Sequence, residues 1–199
     1  MPHPGTRAPG SRYGSRSCEA ESVTQTQEST RSRTFSWSDP TVGVDHLGRL
    51  GGLELLRAMI AGELAPPPVM QLMDMARMEA EEGWVAVELT PQEFHYNPLG
   101  TVHGGVISTL LDTAAACAVH TTLPAGVGYT SLDLNARFLR PATVDSGLLR
   151  CEGTVLQRGR RTALAEARLT DTRGRLVAHA TSTCLLFDLP GAPAVPPPA

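Results

Sequence analysis

The sequence predicts an α+β domain in which one antiparallel sheet curls around a single long helix. Residues 104–121 read GGVISTLLDTAAACAVHT, which is long enough for about five helical turns and is mostly Ala, Cys and Thr in its second half. Segments with strand-like alternation precede this helix, and four more follow it. Small side chains let another surface approach the helix backbone closely, so this order of elements favours a sheet wrapped around the helix.

A short amphipathic helix opens the folded region. Its apolar residues recur at helical spacing, and it stops at Gly62 and the prolines at 66–68. Residues 69–78 and 84–89 then form a pair of strands around the turn at 81–83, although the Met-rich first piece is also compatible with a helix. The apolar residues of the opening helix are Leu50, Leu53, Leu56, Met59 and Ile60.

Glycines stand where the later strands must turn back, at Gly159 and Gly174. Strand-like alternation places successive side chains on opposite faces of the sheet. The four predicted strands are 129–139, 148–157, 162–170 and 176–187.

Alternation also predicts which side chains face the helix. The third of these strands offers a shallow apolar face that a helix can lie against, formed by Ala163, Ala165, Ala167 and Leu169. In the first strand we expect one face to carry Leu132, Leu134, Ala136 and Phe138, and the other to carry Ser131, Asp133, Asn135 and Arg137.

A single-layer sheet with one covering helix leaves its outer face and its edges without cover. An open edge strand presents unpaired N–H and C=O groups that favour association. We therefore expect a homodimer or a homotetramer.

Composition excludes several classes of protein. The 199 residues carry 20 acidic and 17 basic side chains, a formal net charge of −3, so no overall positive field attracts nucleic acid or anionic lipid. No run of about 18 apolar residues occurs. The four cysteines form no close pair and no zinc motif, which favours free thiols. We expect a cytoplasmic protein without a metal or a cofactor.

Three regions differ in composition. Residues 1–40 are rich in Ser, Thr, Arg, Gly and Pro and predict a disordered tail, and residues 45–188 predict the folded domain. Prolines dominate the end of the chain, so residues 189–199 predict a second tail.

A glycine-broken loop runs from Asn97 into the long helix. The first turn of a helix carries unpaired N–H groups and a partial positive charge, so Gly104 could polarise a carbonyl or hold an oxyanion. Asp112 is the only charged residue in the apolar run VISTLLDTAAACAV, where a buried carboxylate is costly and suggests a base or a nucleophile. His103 lacks a recognisable triad partner, which favours an orienting or structural role over a catalytic one.

These residues resemble the signature of the PaaI-like acyl-CoA thioesterases of the hotdog-fold superfamily. The resemblance rests on NPLGTVHGGVISTLLD, on SLDLNARFLRPA and on the hairpin VLQRGRRTALAEA, and it covers about residues 85–187. It implies a hotdog fold and hydrolysis of an acyl-CoA thioester at a site shared by two subunits.

The resemblance also implies roles for individual residues. Gly104 would polarise the thioester carbonyl and Asn97 would help to place the carbonyl or the water. His103 belongs to the same signature and is counted with the catalytic residues. Asp112 of the facing subunit would attack or activate water, and Ser131 would assist that water. CoA would lie along Gly105, Asp133, Phe138, Gln157, Arg158, Gly159, Arg160, Arg161 and Thr162, with the arginines pairing its phosphates.

Two alternatives stay open at this point. A hotdog dehydratase acting on hydroxyacyl thioesters would use the same fold, and a non-catalytic module would bind acyl-CoA without cleaving it. Products formed from acyl-CoA and 3-hydroxyacyl-CoA esters would distinguish these functions.

Overall fold

An antiparallel sheet curls around one long helix in the computed structural model, which describes residues 30–41 and 46–190. The chain divides into two units, residues 1–34 and 35–199. Of the first unit only residues 30–34 are described, as exposed chain without helix or strand. All elements below belong to the second unit.

In the described part of this unit, three α-helices, two 3-10 helices (Glu93–His95 and Val144–Ser146) and seven strands have both ends defined. The sheet order is β1-β2-β5-β6-β7-β3, and β4 also pairs with β7. The helices are α1 (Gly52–Ile60), α2 (Pro68–Leu72) and the central helix α3 (Gly104–Thr121). The strands are β1 (Met75–Glu81), β2 (Trp84–Leu89), β3 (Val127–Ser131), β4 (Asn135–Phe138), β5 (Leu149–Arg158), β6 (Thr162–Thr170) and β7 (Leu176–Asp188).

The predicted α+β architecture is confirmed, and the central helix has the predicted bounds. The sequence of the Met-rich segment 69–78 was compatible with a strand or a helix, and the structure contains a short helix followed by a strand. Proline at the first position of α2 starts a short helix, and the chain then turns at Asp74, whose φ of 58° is left-handed, into β1.

The predicted strand 129–139 is interrupted, and here the expected alternation is wrong. Ser131 pairs with Cys184 and Asn135 pairs with Thr181, so three residues on this side face two on β7. This β-bulge reverses the alternation. As a result Ser131 lies on the helix-facing side together with Leu134 and Ala136.

The core lies between α3 and the concave face of the sheet. The predicted apolar face of β6 is buried in full against it. A strand backbone also approaches the helix closely at Gly153, where an added Cβ would lie 2.1 Å from the carbonyl oxygen of Ala114. The small side chains of the central helix therefore allow the strand backbone to pack closely against it, as the sequence predicted.

The outer face of the sheet is charged. Arg150 of β5 forms ion pairs with Glu79, Glu88 and Glu152 on its own and neighbouring strands, at 2.8, 2.9 and 3.0 Å. The two edges of the described sheet, β1 on one side and β3 with β4 on the other, remain open to association.

The predictions for the tails fall mostly outside the described residues, which omit 1–29, 42–45 and 191–199. Residues 30–40 are exposed and contain no helix or strand. Cys18 also lies outside, and the three described cysteines are free thiols. In the described part no helix is long and apolar enough to cross a membrane.

Candidate active site

The start of the central helix presents one free backbone donor. His103 caps the helix, since its Nδ1 accepts a 2.8 Å hydrogen bond from the Gly105 N–H. The N–H groups of Val106 and Ile107 bond to the His103 carbonyl. Among the described residues this leaves the Gly104 N–H without an acceptor, at the positive end of the helix dipole. The His103 side chain thus has a structural contact as the helix cap, and its role in the site stays a prediction.

The aromatic ring of Phe138 lies over this helix start. A Cβ added at Gly104 would be 3.4 Å from the Phe138 Cζ atom, although half of the Phe138 side chain is exposed. Glycine at this position therefore leaves the narrow space between the ring and the helix open. The structure brings together two predicted site residues that lie 34 positions apart in the chain.

Asn97 shapes the loop that leads into the helix. Its side-chain oxygen accepts the N–H groups of Leu99 and Thr101, and its Nδ2 donates to the Thr101 hydroxyl at 3.0 Å. These contacts hold the loop closed upon itself. The predicted contact of Asn97 with a carbonyl or a water stays a prediction.

The carboxylate of Asp112 meets Ser131, whose hydroxyl donates a 2.8 Å hydrogen bond to Oδ1. Asp112 is half-buried within one chain, not fully buried as its apolar surroundings in sequence suggested. The sheet covers only one face of α3, and the other face stays partly exposed at Gly105, Ser108, Thr109 and Asp112. A substrate or a second copy can therefore reach the carboxylate.

The other ionisable groups beside Asp112 stay neutral near neutral pH. Burial raises the pKa of Cys117 to about 12 and also raises the pKa of the Cys184 thiol. Burial likewise raises the pKa of the Tyr129 hydroxyl, which is hydrogen-bonded to Cys117. A thiolate is the nucleophilic form of cysteine, so Asp112 is better suited than either thiol to act as nucleophile or base.

The two parts of the predicted site are well separated within one chain. Gly104 and Asp112 lie eight residues apart on one helix, which corresponds to about 12 Å along its axis. A reacting carbonyl carbon has to lie about 3 Å from both the oxyanion donor and the attacking group. For direct attack by Asp112 on a carbonyl held at Gly104, these two residues of one chain are therefore too far apart.

The residues predicted to bind CoA divide into two groups. The hairpin residues Gln157–Thr162 are all exposed, and no described carboxylate forms an ion pair with Arg158, Arg160 or Arg161. Asp133 is engaged instead within the sheet, where its carboxylate accepts the Thr183 N–H at 3.1 Å.

Ser182 is a buried polar residue near the site that the sequence patterns did not single out. Ser182 of β7 is 0% exposed, and its hydroxyl donates to the Asp133 carbonyl at 2.8 Å. Its position between the inward Ala180 and Cys184 was visible in the alternation of β7. A serine on the buried face of a strand needs a hydrogen-bond acceptor inside the protein, and this requirement could have identified Ser182 from the sequence.

An open cleft of about 430 Å³ lies elsewhere, between α1, α2 and β1. It is lined by methionines, including Met59, Met70, Met75 and Met78, and by none of the predicted site residues. In the part of the chain that the structure describes, no three His, Cys, Asp or Glu side chains converge as metal ligands.

A curled antiparallel sheet around one central helix, with an unpaired backbone N–H at the helix start and a half-buried aspartate on the same helix, is the architecture of a hotdog-fold protein. A crystal structure with this fold is that of the phenylacetic acid degradation-related protein of Ralstonia eutropha JMP134. It is 33% identical, with a TM-score of 0.59 over 65% of this chain and 97% of that one.

Two further comparisons extend this similarity. Acyl-coenzyme A thioesterase 13 of Mus musculus is 33% identical over 97 residues, which are 48% of this chain and 68% of the relative. A Streptococcus mutans UA159 protein, solved with acetyl-CoA bound, is 26% identical at a TM-score of 0.52, covering 56% of this chain and 88% of its own.

The family model described as Thioesterase superfamily matches residues 99–178, which include the helix start, Asp112 and Ser131. The chain belongs to the thioesterase superfamily, and its resemblance to the PaaI-like hotdog enzymes is confirmed. The expected enzyme class, a thioester hydrolase, is confirmed with it.

Proposed function

We propose that the chain hydrolyses the thioester of an acyl- or arylacyl-CoA to the free acid and CoA, with Asp112 as nucleophile or general base. The observation that carries this proposal is the 2.8 Å hydrogen bond from Ser131 to Asp112 on the exposed face of α3, beside thiols that stay protonated. The mouse relative named as an acyl-CoA thioesterase and the acetyl-CoA complex from Streptococcus mutans support an acyl-CoA substrate.

A second copy of the chain completes the proposed site. Gly104 and Asp112 lie about 12 Å apart along one helix, which is too far for direct attack on a carbonyl held at Gly104, and this supports an acid supplied by the facing subunit. Exposed apolar side chains near the open edge support this association, notably Leu132 at 57% and Phe138 at 53% exposure. The assembly is a homodimer or a homotetramer.

The proposed hydrolysis needs water as its only second reactant. As general base, Asp112 takes a proton from water, and the hydroxide adds to the thioester carbonyl while the Gly104 N–H stabilises the oxyanion. As nucleophile, Asp112 adds directly and forms an acyl anhydride that water then cleaves. Either route breaks the C–S bond, releases the CoA thiol with one proton and leaves a carboxylic acid. Ser131 holds Oδ1, which leaves Oδ2 for the reaction.

The hairpin supplies the proposed contacts to CoA. Arg158, Arg160 and Arg161 are exposed and can approach its phosphates, with Gln157, Gly159 and Thr162 shaping the turn between them. Gly105 and Phe138 lie at the helix start, where the pantetheine arm would enter. Asn97 would place the carbonyl or water through the loop that its side chain closes.

The test is release of free thiol from a panel of phenylacetyl, benzoyl and straight-chain acyl-CoA esters. We expect D112A to lower the rate by about a hundredfold or more, the usual contribution of a general base. Asp145→Ala is the matched control, since Asp145 is an exposed aspartate outside the site. A D112A enzyme that keeps most of its rate would overturn the mechanism.

Two other outcomes would overturn the proposed activity itself. Tight binding of acyl-CoA without any thiol release would indicate a binding module. Formation of enoyl-CoA from a 3-hydroxyacyl-CoA would indicate a dehydratase.

A further inference from the structure

We propose that Asp133 and Ser182 form a clasp that holds the β-bulge between β3 and β4 and thereby positions Ser131 against Asp112. Asp133 is then a positioning residue for Ser131. This inference rests on the proposed thioesterase function for its effect on catalysis, whereas the clasp itself is a property of the fold.

Three hydrogen bonds define the clasp. The Leu132 N–H donates to the Thr183 carbonyl at 2.8 Å, as in an ordinary ladder. The Thr183 N–H donates to the Asp133 carboxylate at 3.1 Å, so a side chain replaces the backbone acceptor at this point. The Ser182 hydroxyl donates to the Asp133 carbonyl at 2.8 Å. Together they accommodate the extra residue in the bulge.

The extra residue decides which side chains face the helix. Ser131 and Phe138 are seven positions apart, an odd number, so an unbroken strand would place them on opposite faces. In the structure Ser131 bonds to Asp112 and the Phe138 ring lies over Gly104, both on the helix side. The bulge is therefore what allows one strand pair to supply both parts of the site.

Loss of the clasp would leave polar groups without partners. Ser182 is fully buried, and an unpaired buried hydroxyl or N–H is costly. A register slip by one residue would restore an unbroken ladder and turn Ser131 away from the helix. Asp133 thus supports the register of β3 and β4 on β7, and Ser131 can bond to Asp112 only in this register.

The chemistry of Asp133 also speaks against a role in holding CoA phosphates. Its carboxylate is an acceptor without a proton to donate, and it already holds a backbone N–H. Two anionic groups repel each other, so the exposed arginines of the hairpin are the better phosphate ligands.

The kinetic test compares Asp133→Ala, Asp133→Asn and Ser182→Ala with Asp145→Ala as the control. We expect D133A to lower kcat at least tenfold while the KM for acyl-CoA changes less than twofold. D133N should keep most of the rate, because its amide oxygen can still accept the Thr183 N–H. The double variant S131A/D133A should be no slower than S131A alone. A raised KM with an unchanged kcat in D133A and D133N would overturn the proposal.

A second measurement is independent of activity. Amide hydrogen exchange at Thr183 should be at least tenfold faster in D133A than in the wild type and close to wild type in D133N. Unchanged protection of Thr183 in D133A would refute the clasp even in an active enzyme. A wild-type protein that releases no thiol would refute the proposed function. The hydrogen-exchange rate of Thr183 would then still test whether the clasp exists. If D133A does not fold, S182A takes its place: it should lower kcat with little change in KM, and an unchanged kcat in S182A would overturn the proposal.

Discussion

Replacing Gly153 by Ala should destabilise the fold, because β5 passes the central helix there with no room for a side chain. A Cβ at Gly153 would lie 2.1 Å from the carbonyl oxygen and 2.3 Å from the carbonyl carbon of Ala114, and 2.8 Å from the Ala115 nitrogen. All three are backbone atoms, so no side-chain rotation relieves the overlap. The strand and the helix would have to separate by about 0.9 Å to bring the distance from this Cβ to the Ala114 oxygen up to 3.0 Å, which is the shortest that real Cβ contacts show.

The expected cost of G153A is about 3 kcal/mol, at the upper end of the usual range for overpacking. For a protein of this size that corresponds to a fall in Tm of about 6–12 °C. Thermal unfolding followed by circular dichroism measures it, with Gly48→Ala as the control, since a Cβ at Gly48 meets nothing within 4 Å. A G153A protein within about 0.5 kcal/mol of the wild type would refute the close approach.

Two further predictions concern pH and CoA binding. Burial lowers the pKa of His120 to about 4, below its unfolded value near 6.5, so the neutral form stabilises the fold above pH 6.5 and that contribution is lost as the pH falls towards 4. We therefore expect the unfolding free energy of the wild type, relative to that of H120Q, to fall by about 3 kcal/mol between pH 7 and pH 4. A difference between the two proteins that stays constant across this range would contradict the prediction. Replacing Arg158, Arg160 and Arg161 by Gln should raise the KM for acyl-CoA about tenfold with kcat unchanged, and an unaltered KM would exclude them as phosphate ligands.

Local patterns were sufficient for most of the fold. The central helix begins and ends at the predicted residues, and the predicted face of β6 is buried, because period and side-chain size act within one element. The site was only partly predictable. Gly104 and Asp112 follow from helix starts and from a charge in an apolar run, but the hydrogen bond between Ser131 and Asp112 depends on a bulge.

The sequence by itself determined the class of fold, the helix that carries the acid and the glycines at its start. Only the tertiary structure decided that Ser131 faces Asp112, that Asp133 is engaged within the sheet and that Asp112 stays half-exposed. The physical reason is that strand alternation is a local rule, whereas the extra residue in the bulge is fixed by hydrogen bonds to β7, whose Ser182 lies 49 positions further along the chain.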